Sequence, residues 1–263
     1  MLTSEGKNRL YLFFTGFILI QVFFLLFSES TVGYGGMENI FLYRNARFLF
    51  QHPEFLFEKH PFYILLSAPF SQFGYLPAKA FNIMLAVFTL LLSARIVNRL
   101  YPGGELFAFI FIAFSPAFFQ LSASCLPDIL FGFLLVFSIW LFISKRFLFS
   151  ALVISFIPFV LPQGFLVLLF FAMVFILNRS YRFAPFLLSG TGLFSIAGLI
   201  ATGDFLWFLK FFQDNLRENQ RLFQFAQSIP FTLGIPLTIL AIAGLISQGF
   251  ETLKKNSFPN EDS

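Results

Sequence analysis

Three groups of side chains in this sequence have the residue types and spacing for chemistry. The first lies in Glu38-Asn39-Ile40-Phe41-Leu42-Tyr43-Arg44-Asn45-Ala46-Arg47, just after the glycine-rich stretch Gly33-Tyr34-Gly35-Gly36. A carboxylate set where water, lipid headgroups and a protein core meet can have its pKa raised by partial burial and serve as a general base, so Glu38 is the candidate base. The second is Glu58-Lys59-His60-Pro61-Phe62-Tyr63, where Lys59, with Arg44 and Arg47 nearby, suits a lipid phosphate, the anion most available at that depth. Headgroup anchoring without catalysis explains the same residues equally well. The third is Asp128, which follows Leu126-Pro127 and opens a long uncharged run. There a carboxylate is either a helix cap or an active-site acid.

A fourth, later group reads as an amphipathic helix. Lys210, Asp214, Arg217, Glu218 and Arg221 fall on one helical face, and Phe205, Phe208, Leu209, Phe212 and Leu216 on the other. Its plain role is anchoring at the membrane surface, with Arg217 and Arg221 as outlying substrate-binding candidates.

The elements that position these groups must be helices in lipid. Hydrophobic residues make up 58% of the 263, against 17 Lys+Arg and 13 Asp+Glu. Soluble domains hold roughly 45–50% apolar residues, so so few charges point to a single membrane domain over 1–263. The net charge of +4 comes from scattered basic pairs rather than a basic face, which argues against nucleic acid as a partner. A single cysteine, Cys125, excludes an internal disulfide and a multi-cysteine metal site. Two carboxylates without a nearby histidine or cysteine ligand argue against zinc and leave a hard divalent cation open. No P-loop, Rossmann fingerprint, HExxH, nucleophile elbow or internal repeat is present, and the 46 phenylalanines read as lipid-facing bulk.

Apolar runs occur at Leu10–Phe27, Phe81–Ala94, Leu106–Ser122, Ile129–Ser144, Phe147–Leu161, Phe165–Leu177, Phe183–Ala201 and Ile229–Ser247. The first is long for a signal peptide and lacks a small-x-small cleavage site, so it reads as an uncleaved span. Counting eight spans puts the basic pairs Lys7/Arg9, Arg95/Arg99, Lys145/Arg146, Arg179/Arg182 and Lys254/Lys255 on one side. The positive-inside rule makes that side cytoplasmic, with both termini on it and a short charged tail at 248–263. Two choices keep this count: a hairpin broken around Pro158, Pro162 and Gly164, and an interfacial place for the short run Phe62–Tyr75. External segments then cover 28–76 and 202–228, with a turn at 123–128. They hold Glu29, Glu38, Glu54, Glu58, Asp128, Asp204, Asp214, Glu218 and both histidines, His52 and His60.

Together these features resemble the GT-C superfamily of membrane glycosyltransferases, in particular the protein O-mannosyltransferases and the lipid A aminoarabinose transferase. Glu38-Asn39 stands where that family has Asp-Glu, Ala46-Arg47 matches its Ala-Arg pair, and Lys59-His60-Pro61-Phe62-Tyr63 is similar to its second motif. Asp128 matches the acid after the third span. The turn Leu161-Pro162-Gln163-Gly164 and the stretch Thr202-Gly203-Asp204-Phe205-Leu206-Trp207-Phe208 are similar to later family segments. Glu38 departs by one methylene from the family's aspartate, and Gln163 stands where relatives commonly carry arginine.

The resemblance implies an all-α bundle of about eight transmembrane helices with external juxtamembrane helices. It implies an inverting transfer of a sugar from a polyprenyl-phosphate donor to a glycan, lipid or protein acceptor at the external face of a bacterial inner membrane. Glu38 would be the base, and Asp128 its assistant, an acceptor-orienting acid or a ligand to a divalent metal. Lys59, Arg44, Arg47 and His60 would hold the donor phosphate, with membrane lipids as the surrounding partner. A non-catalytic scaffold or lipid-binding subunit of the same ancestry predicts the same topology without a site joining Glu38, Lys59 and Asp128. A transporter or flippase would need buried ionisable residues within the spans and a repeat of spans.

Overall fold

The computed structural model describes residues 4–27, 36–209 and 212. All the regular structure among them is helical. The order is α1 (Ser4–Phe27), α2 (Gly36–Phe48), a 3-10 turn at Pro53–Phe57, α3 (Pro61–Ser71), α4 (Tyr75–Leu100), α5 (Glu105–Ala113) and α6 (Pro116–Ser122). Then come α7 (Asp128–Ile143), α8 (Phe147–Phe156) with a 3-10 turn at Ile157–Phe159, α9 (Gly164–Leu177), a 3-10 segment at Tyr181–Leu188 and α10 (Ser189–Thr202). Two helical stretches, Tyr75–Leu100 and Tyr181–Ala201, are long and apolar enough to cross a membrane. The bent pair Glu105–Ala113 and Pro116–Ser122 makes a third if taken as one span.

The helices differ from the apolar runs at two places, each for a physical reason, and agree with them at a third. α4 starts before and ends after the run Phe81–Ala94, because Lys79, Arg95 and Arg99 continue the helix rather than end it. Its 26 residues reach about 39 Å, more than the roughly 30 Å of a hydrocarbon core. The run Leu106–Ser122 is two helices bent by 70°. Pro116 drives the preceding Ser115 to an extended conformation (φ −63°, ψ 124°), which breaks the ladder there. The 147–177 stretch breaks at Ile157–Gln163 as its prolines predict. The last run, Ile229–Ser247, the pair Lys254/Lys255 and the tail lie outside the described residues.

Two of the tight basic turns are built at a conformational cost. Lys145 (φ 59°) and Arg179 (φ 54°) occupy the left-handed position that ends a helix, where glycine is usual. In each case the next N–H reaches back five residues, Arg146 to Leu141 and Ser180 to Phe175. The cation gained beside the exposed carbonyls offsets part of that strain.

The 36–71 segment is helical and packed into the core. Leu42 and Ala46 of α2 and Tyr63, Ile64 and Ala68 of α3 are buried in the main core. There they meet Phe81, Leu85 and Ala86 of α4, Ile129, Leu130 and Leu134 of α7, and Ile154, Ile157 and Val160 at the end of α8. With 11 residues, α3 spans about 16 Å, too short to cross the hydrocarbon, in keeping with an interfacial place. A second cluster joins Phe14 and Phe17 of α1 to Leu90 of α4 and to Phe109 and Ala113 of α5.

Gly164 lets α9 start directly against the end of α8. A Cβ there would lie 2.6 Å from both the carbonyl carbon and the oxygen of Ile157. Gly164→Ala is therefore expected to lower stability by about 1–3 kcal/mol, the usual cost of overpacking a close contact. Thermal unfolding of the purified protein in detergent measures it, and an unchanged unfolding temperature would contradict the close approach.

Candidate functional site

The site is assembled by α2, the turn into α3, the end of α8 and the start of α7. Glu38 sits in the first turn of α2, where the positive helix end favours a carboxylate, while Arg47 occupies the last turn. Its side chain is about half exposed. His60 precedes Pro61, which opens α3, and proline disfavours the helical conformation for the residue before it. His60 accordingly takes a left-handed conformation (φ 52°, ψ 53°) that few non-glycine residues adopt, and its ring is almost wholly buried.

Two contacts fix that ring. Nδ1 lies 2.7 Å from the Val160 carbonyl oxygen and Nε2 lies 3.4 Å from Glu38 Oε1. A carbonyl only accepts, so Nδ1 carries a hydrogen, and in a neutral ring Nε2 would then aim a lone pair at the carboxylate. The Glu38–His60 contact sets that nitrogen against the carboxylate oxygen. At 3.4 Å it is long for a hydrogen bond, as contacts of catalytic groups often are before substrate binds.

Electrostatics follow this geometry and correct one expectation. The His60 hydrogen bond, opposed by burial and aided by the charges of His60 and Lys59, holds the Glu38 carboxyl below the usual carboxylate range. Burial alone was expected to raise it. The histidine, which the sequence does not place beside a carboxylate, reverses the sign.

Asp128 is the first residue of α7, and the cap position belongs to Pro127, with no side-chain cap hydrogen bond. Its carboxylate instead meets its own backbone N–H in the first turn, where the positive helix end favours an acid. Burial pushes the Asp128 carboxyl up; its own backbone N–H and the charge of His60 pull it down, and the charge of Glu38 pushes it up. Glu38, His60 and Asp128 thus lie close enough to sense one another, with Lys59 acting on Glu38.

The other candidates lie elsewhere. The Arg44 guanidinium packs over the rings of Phe41 (5.5 Å) and Phe55 (5.7 Å). That of Arg47 packs over Tyr43 (5.9 Å) and Phe48 (5.8 Å), and its Nη1 donates to the Tyr43 hydroxyl at 2.8 Å. Both are exposed along α2, an arrangement suited to headgroups. Arg217 and Arg221, and most of the amphipathic helix with them, lie outside the described residues. Among the described residues no three His, Cys, Asp or Glu side chains gather as metal ligands. Glu38, His60 and Asp128 do not meet as a ligand set for a divalent cation.

Four buried polar residues missed in the sequence hold the site together. Asn39 Oδ1 accepts the Cys125 N–H at 2.7 Å. Asn82 Nδ2 donates to the carbonyls of Ser124 and Leu126, both at 2.8 Å. Both amides hold the turn that delivers Asp128. Tyr63 is buried beside Cys125, and burial pushes its phenol well up. Lys79 is only 4% exposed and packs its ammonium over the Tyr75 ring at 4.7 Å. The available signal was polarity inside an apolar helix, Lys79 and Asn82 three residues apart on one face.

Asn39→Ala strips the Cys125 N–H of its partner in a buried place, which costs about 1–3 kcal/mol. Faster alkylation of Cys125, the chain's one thiol, by a small maleimide is the expected readout. Unchanged reactivity would show that the turn does not depend on Asn39.

The chain matches no protein-family model, no curated protein and no solved structure.

Proposed function

We propose that the chain is a membrane glycosyltransferase that moves a sugar from a polyprenyl-phosphate donor to an acceptor hydroxyl at the external face of a bacterial inner membrane. The observation that carries the reading is the Glu38–His60 pair: a carboxylate held ionised beside an imidazole locked to the Val160 carbonyl, with Asp128 in the same field. The GT-C resemblance puts a base at this position, and the approach of Glu38, Lys59 and Asp128 favours an active member over a scaffold. The topology that goes with it has about eight spans, both termini in the cytoplasm and α2 and α3 outside as juxtamembrane helices.

The reaction is a direct displacement with inversion at the anomeric carbon. Glu38 takes the proton of the acceptor hydroxyl. The freed oxygen pair forms the new bond to the anomeric carbon, while the bond to the donor phosphate breaks and its electron pair leaves on the phosphate oxygen. Such a leaving group needs cations more than an acid, and Lys59 supplies one. Asp128 orients the acceptor hydroxyl toward Glu38. The proton then passes from the half-exposed Glu38 to water, so the base is restored without a second protein group.

The test is transfer of labelled sugar from a panel of polyprenyl-phosphate sugars to membrane acceptors by the full-length protein in proteoliposomes. Transfer above empty vesicles is expected. No transfer from any donor, by protein that retains a cooperative unfolding transition, would sink the reading.

A further inference from the structure

Lys79 lies outside the proposed chemistry and poses a problem of its own. The residue as a whole is 4% exposed, and a cation with little water around it attracts an anion. Its described neighbours are the Tyr75 ring and the Cys125 thiol, which burial pushes up to about 12 despite the lysine's pull, so the thiol is uncharged. Among the described residues no carboxylate is paired with Lys79.

Around the same 124–126 turn, three buried polar atoms lack a hydrogen-bond partner: Asn39 Nδ2, Asn82 Oδ1 and the Tyr63 hydroxyl. Each belongs to a side chain that is wholly or almost wholly buried, and buried polar atoms are rarely left unpaired. Both amides spend one end on the turn and leave the other free. Tyr63 faces Asn82 and Cys125, and Lys79 faces Cys125. The set offers an ammonium, an amide donor, a phenol and one amide acceptor.

We propose that Lys79, Asn39, Tyr63 and Asn82 form a buried subsite for the phosphate monoester of a lipid at the outer surface. The ammonium, the Asn39 amide and the phenol donate to phosphate oxygens. Asn82 Oδ1 needs a donor, which a monoester supplies as P–OH near its second pKa of about 6 and a diester lacks. Depth selects a lipid over free phosphate. Lys79 stands sixteen residues, about 24 Å along α4, from the cytoplasmic-side Arg95, which sets it at the outer edge of the hydrocarbon. The proposal does not require the sugar-transfer reaction.

The full-length protein in phosphatidylcholine nanodiscs is titrated at pH 6 with phosphatidic acid, phosphatidylglycerol and inorganic phosphate. Phosphatidic acid is expected to bind, to raise the unfolding temperature by mass action and to be displaced by inorganic phosphate only at much higher concentration. Lys79→Met, which keeps the length of the side chain, should weaken that binding roughly tenfold or more, the loss expected for one charged hydrogen-bond donor. Arg95→Gln, which removes a cation from the other end of the same helix, should not. Equal binding by wild type and Lys79→Met would overturn the proposal. So would phosphatidylglycerol binding as tightly as phosphatidic acid, which means surface charge alone, or inorganic phosphate doing so, which means a free anion. If Lys79→Met does not fold, the wild type decides: no greater rise in unfolding temperature with phosphatidic acid than with phosphatidylglycerol overturns the site.

Discussion

Glu38→Gln is expected to reduce sugar transfer by about 10²–10⁴-fold in kcat, the usual contribution of a positioned general base. The substitution is nearly isosteric, and the glutamine amide meets His60 Nε2 where the carboxylate does. The ring therefore stays on the Val160 carbonyl while the carboxylate's basicity is gone. Stability should scarcely change at neutral pH, because Glu38 is about half exposed and its attraction to His60 is screened by solvent. The sign of the residual effect is fixed. The folded state holds Glu38 below its unfolded pKa, so its small contribution is present above the ordinary carboxylate range and is lost as pH falls through the depressed value. The wild-type acid limb of activity should sit in that same low range, and transfer at neutral pH should be insensitive to modest acidification. A purely structural Glu38 predicts the reverse pattern, lowered unfolding temperature with transfer retained. A transfer assay and a thermal melt on one preparation separate the two.

Much of the scaffold can be read from apolar runs, since α1 and α7 begin or end within a few residues of them. The prolines and Gly164 mark the break between α8 and α9 because each forbids or permits a specific backbone geometry regardless of context. Charge is the weaker guide. Lys79 and Arg95 look like span boundaries, yet α4 runs through both, since a long basic side chain can lie along a helix and place its cation on a ring or in the interface. The site is legible in part for a related reason. Glu38, Lys59, His60 and Asp128 stand out as polar groups beside apolar runs. What joins them is long-range: His60 to Val160, Cys125 to Asn39 and Ser124 to Asn82 are contacts between distant parts of the chain with no local signature. The reversal at Glu38 belongs to the same class, because only the fold tells which neighbour opposes burial.

Asp128→Asn is expected to do two things that rarely go together, lowering transfer and raising stability at neutral pH. Burial raises the Asp128 carboxyl in the folded protein, with Glu38 adding to it. A carboxylate whose folded pKa is raised makes the folded state harder to ionise than the unfolded one. It therefore opposes folding above its folded pKa and ceases to do so as pH falls below its unfolded value. Asparagine removes that cost. It also keeps an oxygen that can accept the residue-128 N–H at the helix start, so little is forfeited there. The unfolding temperature of the variant should accordingly exceed wild type at pH 7 and approach it in acid. Transfer should fall by about 10²-fold, because an amide cannot accept a hydroxyl hydrogen with carboxylate strength or hold the acceptor toward Glu38. A variant that loses stability at pH 7 would show that Asp128 is a structural acid. A stabilised variant with full transfer would leave its burial unexplained by catalysis. A double variant with Glu38→Gln tests the shared field: if the two groups act as one unit on the acceptor, the combined loss stays close to that of Glu38→Gln alone rather than multiplying.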